Sequence, residues 1–158
     1  MEELDAETVE KIRKDTADRL IAELSRAAED IDPESSSVLA LDWMNGRRTP
    51  DANQKLKGAL MGLTLGTDAP HIFRALVEAT AFGSRLITDR FIEEGVRIDG
   101  IIALGGVAKK SSLVMQIMAD VHNMPIKVAR SEQAVALGSA MAAAWQWACT
   151  WSTPTTAR

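Results

Sequence analysis

A single cysteine, Cys149, two histidines and no tyrosine occur in this chain of 158 residues. One cysteine excludes an intrachain disulfide and a cysteine-rich zinc site. His71 and His122 are far apart in the sequence, without the spacing of a metal-ligand pair, so zinc is not expected. There is no excess of basic residues: 18 lysines and arginines stand against 22 aspartates and glutamates, for a formal charge of -4. That balance argues against nucleic acid and against an anionic membrane surface as partners. No apolar run approaches the roughly 20 residues a helix needs to cross a bilayer, and no secretory signal opens the chain. The cytoplasm is the expected compartment. What is present, 46% hydrophobic and 25% charged residues, suits one globular domain burying roughly 70% of its unfolded surface.

The most informative stretch is Ile-Ile-Ala-Leu-Gly-Gly-Val-Ala-Lys-Lys-Ser-Ser over residues 101–112. A short apolar run reads as a buried strand, two glycines end it, and an amphipathic helix follows. Glycines there let a ligand approach the backbone, and a helix start offers free N–H groups. Lys109, Lys110, Ser111 and Ser112 add donors at the same spot, a chemistry suited to a nucleotide. Taken alone, paired glycines favour a turn that needs them only for its dihedral angles, because such pairs are common there.

Around this stretch the chain divides by periodicity and breakers. Residues 1–29 read as a surface helix, with Val9, Ile12, Leu20, Ile21 and Leu24 at helical spacing among charges. Residues 31–37 read as a loop, 38–43 as a strand, and 45–50 as a turn. Residues 53–64 are expected to form a short helix with glycines at 58 and 62. A long helix begins at Asp68 or Pro70 and runs to about Glu94, where Gly95 stops it. Then come a strand (98–104), a helix (111–122), a strand (126–129) and a helix (about 132–147). This alternation implies α/β architecture with a parallel sheet, although two or three strands are too few to complete one.

Three blocks carry a resemblance. Gly58-Ala-Leu-Met-Gly62-Leu63, seven residues, and then the run from His71 to Glu78 resemble the second signature of the FGGY carbohydrate kinases. Residues 104–111, with the helix that follows, are similar to that family's adenosine motif. Residues 131–144 resemble its closing helix, whose small residues would let it lie close on the sheet. Within the family, the loop over residues 41–50 is most similar to that of ribulokinases; xylulokinases and glycerol kinases usually carry a more Ser-Gly-Glu-Arg-like loop there. The resemblance covers roughly residues 20–144.

The resemblance implies part of the C-terminal lobe of an actin-like ATPase, a ribonuclease-H-like α/β fold that closes with a second lobe around ATP and a sugar. Residues 1–37 would form an N-terminal helix and loop, 38–144 the partial kinase lobe, and 145–158 an atypical tail. It implies ATP with Mg2+ as cofactors and ATP or ADP as ligand, with the sugar, a ketopentose such as ribulose, reached through a lobe outside this sequence. Gly105 and Gly106 would pack beside the adenine or ribose, with Ala108 and Ser111 nearby. Lys109 would reach a ribose or phosphate oxygen, or simply be an exposed lysine at a helix start. The family's catalytic aspartate and phosphate-binding hairpins have no counterpart here, so no catalytic residue is assigned and the chain is expected to be inactive alone. The alternative is a stand-alone, non-catalytic α/β fragment that binds a nucleotide or a protein. A truncated lobe is further expected to expose apolar surface and self-associate.

Other candidates read as structural. Glu78 is weighed as a catalytic acid and favoured as a helix carboxylate satisfied by local donors; Asp42 and Asp120 read as structural or solvated carboxylates. Trp43 is either cleft lining or packing, and Arg47 and Arg48 are either phosphate ligands or solvated. Three of the four tryptophans crowd into residues 145–151. Read one nucleotide earlier, that run is compatible with Val-Ala-Val-Gly-Leu-Tyr-Val, close to the family's usual continuation. Residues 145–158 are thus either out-of-frame sequence or an aromatic-rich tail that packs on a lobe or partner.

Overall fold

The fold is seen in a computed structural model that describes residues 5–34 and 36–151. Residues 1–4 of the expected N-terminal helix, Ser35 in the loop, and residues 152–158 of the tail lie outside the described residues. Helix α1 (Ala6–Glu29) starts where Asp5 accepts the amide of Thr8 at 2.7 Å, a capping bond that satisfies one of the orphan donors of the first turn. Helix α2 (Ala69–Glu93) starts the same way, with Asp68 accepting from the amide of His71 at 3.2 Å and Pro70 in its first turn. It ends before Gly95, whose φ of +82° is the left-handed conformation that closes helices.

Helix α2 is the spine, about 37 Å long from its residue count. Helices α1 and α4 (Ser112–His122) pack on it. The core between them is Ala28, Ala81, Leu113 and Ile117, flanked by Ile31, Phe73, Val77, Met118 and Val121. Two arginines of α2 fasten its neighbours by their C-terminal carbonyls, which no intrahelical amide satisfies. Arg74 Nη1 donates to Ala28 O at 2.8 Å, and Arg85 Nη1 donates to Val121 O at 2.9 Å.

Strands β1 (Leu39–Leu41) and β2 (Ala59–Met61) form an antiparallel pair with Leu39 opposite Met61, and β1 lies on α2. The short helix expected over residues 53–64 is therefore not formed; its centre is β2. Gly58 and Gly62 flank that strand because the hairpin backbone passes too close for a side chain. A Cβ at Gly62 would lie 1.9 Å from Ser37 O, and one at Gly58 would lie 2.9 Å from Leu41 O. Glycines four apart, which on a helix would share a face, here serve close approach instead.

Strands β3 (Ile101–Ala103) and β4 (Ile126–Val128) are parallel, with Ile101 opposite Ile126, as the strand–helix alternation implies. Between them a short helix α3 (Gly106–Lys110) precedes α4, the two separated by the extended Ser111. Helix α5 (Ala134–Trp151) follows β4. Its small residues do not bring it down onto the sheet: every described residue from Val135 to Trp147 is exposed. A pair of three-residue strands offers too little apolar surface to seat a helix of 18 residues, about 27 Å long.

Candidate functional site

At the end of β3 the chain turns through Gly105, with φ +97° and ψ 179°, a conformation essentially reserved for glycine. Gly106 then opens α3 with no such demand on its backbone. A Cβ at Gly106 would meet no atom within 4 Å, in contrast to the crowding at Gly58 and Gly62. Its missing side chain therefore leaves space open and serves no internal contact.

That space is part of a groove of about 950 Å3. One wall is the last two turns of α1, from Ile21 and Ala22 through Ser25 and Arg26 to Glu29; Phe73 and Val77 of α2 form the floor. The opposite wall is Gly106, Val107, Lys110, Ser111, Ser112 and Val114. The walls are joined by a hydrogen bond from Ser112 Oγ to Glu29 Oε1 at 2.9 Å. Ser111 Oγ accepts the amide of Val114 at 3.3 Å and so caps α4. Arg26 is engaged by Glu23 at 2.8 Å, with both side chains largely exposed, a pairing that contributes little to stability.

Of the residues marked in the sequence, Gly106 and Ser111 line the groove. Gly105 forms the turn behind it, and Ala108 is half-buried outside the lining. Lys109 turns away, donating to Arg130 O at 2.8 Å and tying α3 to the β4–α5 connection. Its neighbour Lys110 lines the groove instead. The α1 wall was not legible beforehand, because nothing local links it to a turn some 80 residues later. The one available signal was the spacing of residues 21, 22, 25, 26 and 29, which share a helix face.

Arg48 is exposed, and the other charged candidates are taken up in structural contacts. Glu78 Oε1 accepts from Arg74 Nε at 2.8 Å, and Asp42 accepts from Thr80 Oγ1 at 3.3 Å. Asp120 accepts from Gln116 at 2.8 Å. Arg47 stacks over Trp43, 5.6 Å from the ring centroid, and pairs with Asp51 at 3.0 Å. His71 sits 2.6 Å from Asp68, and this bond holds the Asp68 carboxyl below its usual range. His122 is fully buried beside Ser84 at 3.1 Å; burial first, then nearby Arg85, lowers its pKa. Among the described residues, no group of three or more His, Cys, Asp or Glu could hold a metal ion, and no helix is long and apolar enough to cross a membrane.

A parallel strand pair with helices on its connections, and a glycine turn opening onto a groove, define part of an α/β lobe of the actin-like ATPase fold, as found in sugar kinases. The chain belongs to the FGGY family of carbohydrate kinases, whose C-terminal domain matches residues 2–147. It is 50% identical over 131 residues to a ribulokinase of Vibrio parahaemolyticus, covering 83% of this chain and 23% of that protein. A ribulokinase of Bacillus licheniformis is 48% identical over 118 residues, covering 75% of this chain and 21% of that protein. The structure of Plasmodium falciparum glycerol kinase with ADP superposes with a TM-score of 0.67 at 26% identity, over 82% of this chain and 26% of that one. Xylulose kinase from Rhodospirillum rubrum gives 0.61 at 27% identity, over 68% and 21%. The chain thus spans under a quarter of the length of these ribulokinases.

Proposed function

We propose that this chain supplies the adenosine side of the cleft in an ATP-dependent kinase that phosphorylates a ketopentose such as ribulose. The observation that carries the reading is the groove at the glycine turn after β3, lined by Gly106 where its backbone faces open space. The names of the relatives support the substrate, and the glycerol kinase with ADP supports the nucleotide. The groove suits a nucleoside: apolar walls for a flat base, with a few polar groups to orient it.

In this reading Gly105, Gly106, Ala108, Lys109 and Ser111 form the adenosine site. Gly105 and Gly106 let the nucleotide approach the backbone, and Ser111 holds the start of α4 against the groove. Lys109 fixes the turn through Arg130, and Lys110 offers the ammonium nearest the ligand. ATP supplies the transferred phosphoryl group when bound. Mg2+ would be held by the phosphates of the bound nucleotide, with few protein ligands. The base for the sugar hydroxyl and the phosphate cradle, both required for phosphoryl transfer, belong to the remaining three quarters of the kinase. A cytoplasmic location and self-association through the exposed helix α5 complete the proposal.

Amide chemical-shift titration of the chain with ADP tests the first part: shifts are expected at Gly106, Lys110 and Ser111, and their absence at millimolar ADP would sink it. For the second part, residues 20–144 are grafted onto the rest of the Vibrio parahaemolyticus ribulokinase and ribulose-dependent ADP release is measured. Turnover supports the reading; a folded, nucleotide-binding chimera without turnover counts against it.

A further inference from the structure

We infer that two copies of this chain join through the open edge of β3 into one four-stranded sheet, whose exposed face the two α5 helices cover; this rests on the self-association proposed above. Among the described residues β3 is paired on one side only, by β4. The two edges of the pair differ. β4 carries Lys127 and follows Pro125, and lysine and proline keep an edge from pairing with another chain. β3 is Ile-Ile-Ala, with no proline or charge over its length. Its outer N–H and C=O groups are a template for a further strand.

The two faces differ as well. Helix α4 packs on the pair, and Ile101 and Ala103 are half-buried. Ile102 and Leu104 alternate with them and point to the other side, where they are 69% and 55% exposed. Helix α5 has no charged residue from Ala134 to Trp151, and a helix that is apolar all round is normally a buried one. Leu137, Met141 and Trp145 recur every four residues on one face and are all more than half exposed. Taking roughly 150–250 Å2 for a large side chain, α5 exposes about 400 Å2 on this ridge and β3 about 200 Å2 on its open face. Ridge against ridge in two copies buries about 800 Å2, too little for a stable interface; adding both β3 faces brings the total to about 1,200 Å2, where stable interfaces begin. A second copy is therefore the occupant that fits the strand edge and the helix together. A twofold axis across β3 sets the two Ile102 residues opposite each other in an antiparallel pair and closes the assembly at a dimer. Ala129 is held to Ala103 and Arg130 to Lys109, so residues 131–133 are the hinge on which α5 swings onto the sheet.

The test is sedimentation of the chain over a concentration series, with amide hydrogen exchange read at residues 101–104. Ile102→Lys and Met141→Lys change exposed side chains, so each keeps the fold of the single chain, which circular dichroism checks. The expected result is a dimer whose dissociation constant rises at least about tenfold in either variant, since a charge then enters an apolar contact. Its β3 amides should exchange more slowly as the dimer forms. A dimer that Ile102→Lys leaves unchanged, or whose β3 amides gain no protection, overturns the inference while leaving self-association through α5 intact. Growth beyond the dimer overturns it too, because a twofold contact closes. A monomer at every concentration removes self-association itself, and this inference with it.

Discussion

Replacing Arg74 by alanine should destabilise the chain by about 3 kcal/mol. The side chain is 10% exposed and makes two bonds of 2.8 Å, to Glu78 Oε1 and to Ala28 O. Ala28 is fully buried, and its carbonyl is among the last four of α1, which have no amide partner within the helix. The guanidinium thus satisfies that carbonyl, counters the negative end of α1, and neutralises a carboxylate that is only 26% exposed. A bond to a charged group contributes about 1.5–3 kcal/mol, and breaking a buried ion pair by removing one partner costs about 3–5 kcal/mol. The two descriptions overlap, and the part-exposed Glu78 brings the total toward the lower figure. For a domain of this size about 3 kcal/mol corresponds to roughly 6–12 °C in Tm. Urea unfolding should show a lower midpoint with an unchanged slope. Arg74→Lys keeps the charge but cannot serve both acceptors, and should lose about half as much. Arg74→Ala combined with Glu78→Ala should lose less than the sum of the two single changes, since the stranded carboxylate is then gone. A loss below about 0.5 kcal/mol in Arg74→Ala, the range of ordinary surface substitutions, would refute the reasoning.

His122 titrates below its ordinary value of 6.5 because burial disfavours its charged form. The unfolded chain therefore binds more protons below about pH 6.5, and stability should fall as pH drops from there through the lowered pKa; His122→Gln should flatten the Tm profile between pH 7.5 and 5. Gly62→Ala should disrupt the hairpin, since its Cβ would sit 1.9 Å from Ser37 O. Gly106→Ala should leave Tm unchanged yet weaken ADP binding, which separates a packing glycine from a site glycine in one pair of melts and titrations. Sedimentation should find the chain self-associating through Val135, Leu137, Met141 and Trp145, all more than half exposed on α5, and Met141→Lys should shift it toward monomer. The purified chain alone should release no ADP in the presence of ribulose and ATP; sugar-dependent release by the chain itself would contradict the division of labour proposed above.

The sequence by itself determined the features whose physics is local. Asp68 caps α2 through an amide three residues on, and Gly95 ends it by its own dihedral preference, so those boundaries were legible without a structure. The glycine turn after β3 and the parallel alternation of strands and helices were legible for the same reason. Tertiary structure alone decided what depends on distant partners. Ala59–Met61 became a strand because β1 pairs with it and Ser37 crowds Gly62, which no window around residue 60 reveals. Arg130, 21 residues downstream, decided that Lys109 turns away while Lys110 lines the groove. The groove itself exists because α1 and α4 pack on α2 through Ala28, Ala81, Leu113 and Ile117, bringing Glu29 to Ser112 across 83 residues of chain. Capping and dihedral energies act within one helical turn; a cavity wall is set by packing, and packing takes its partners from anywhere in the chain.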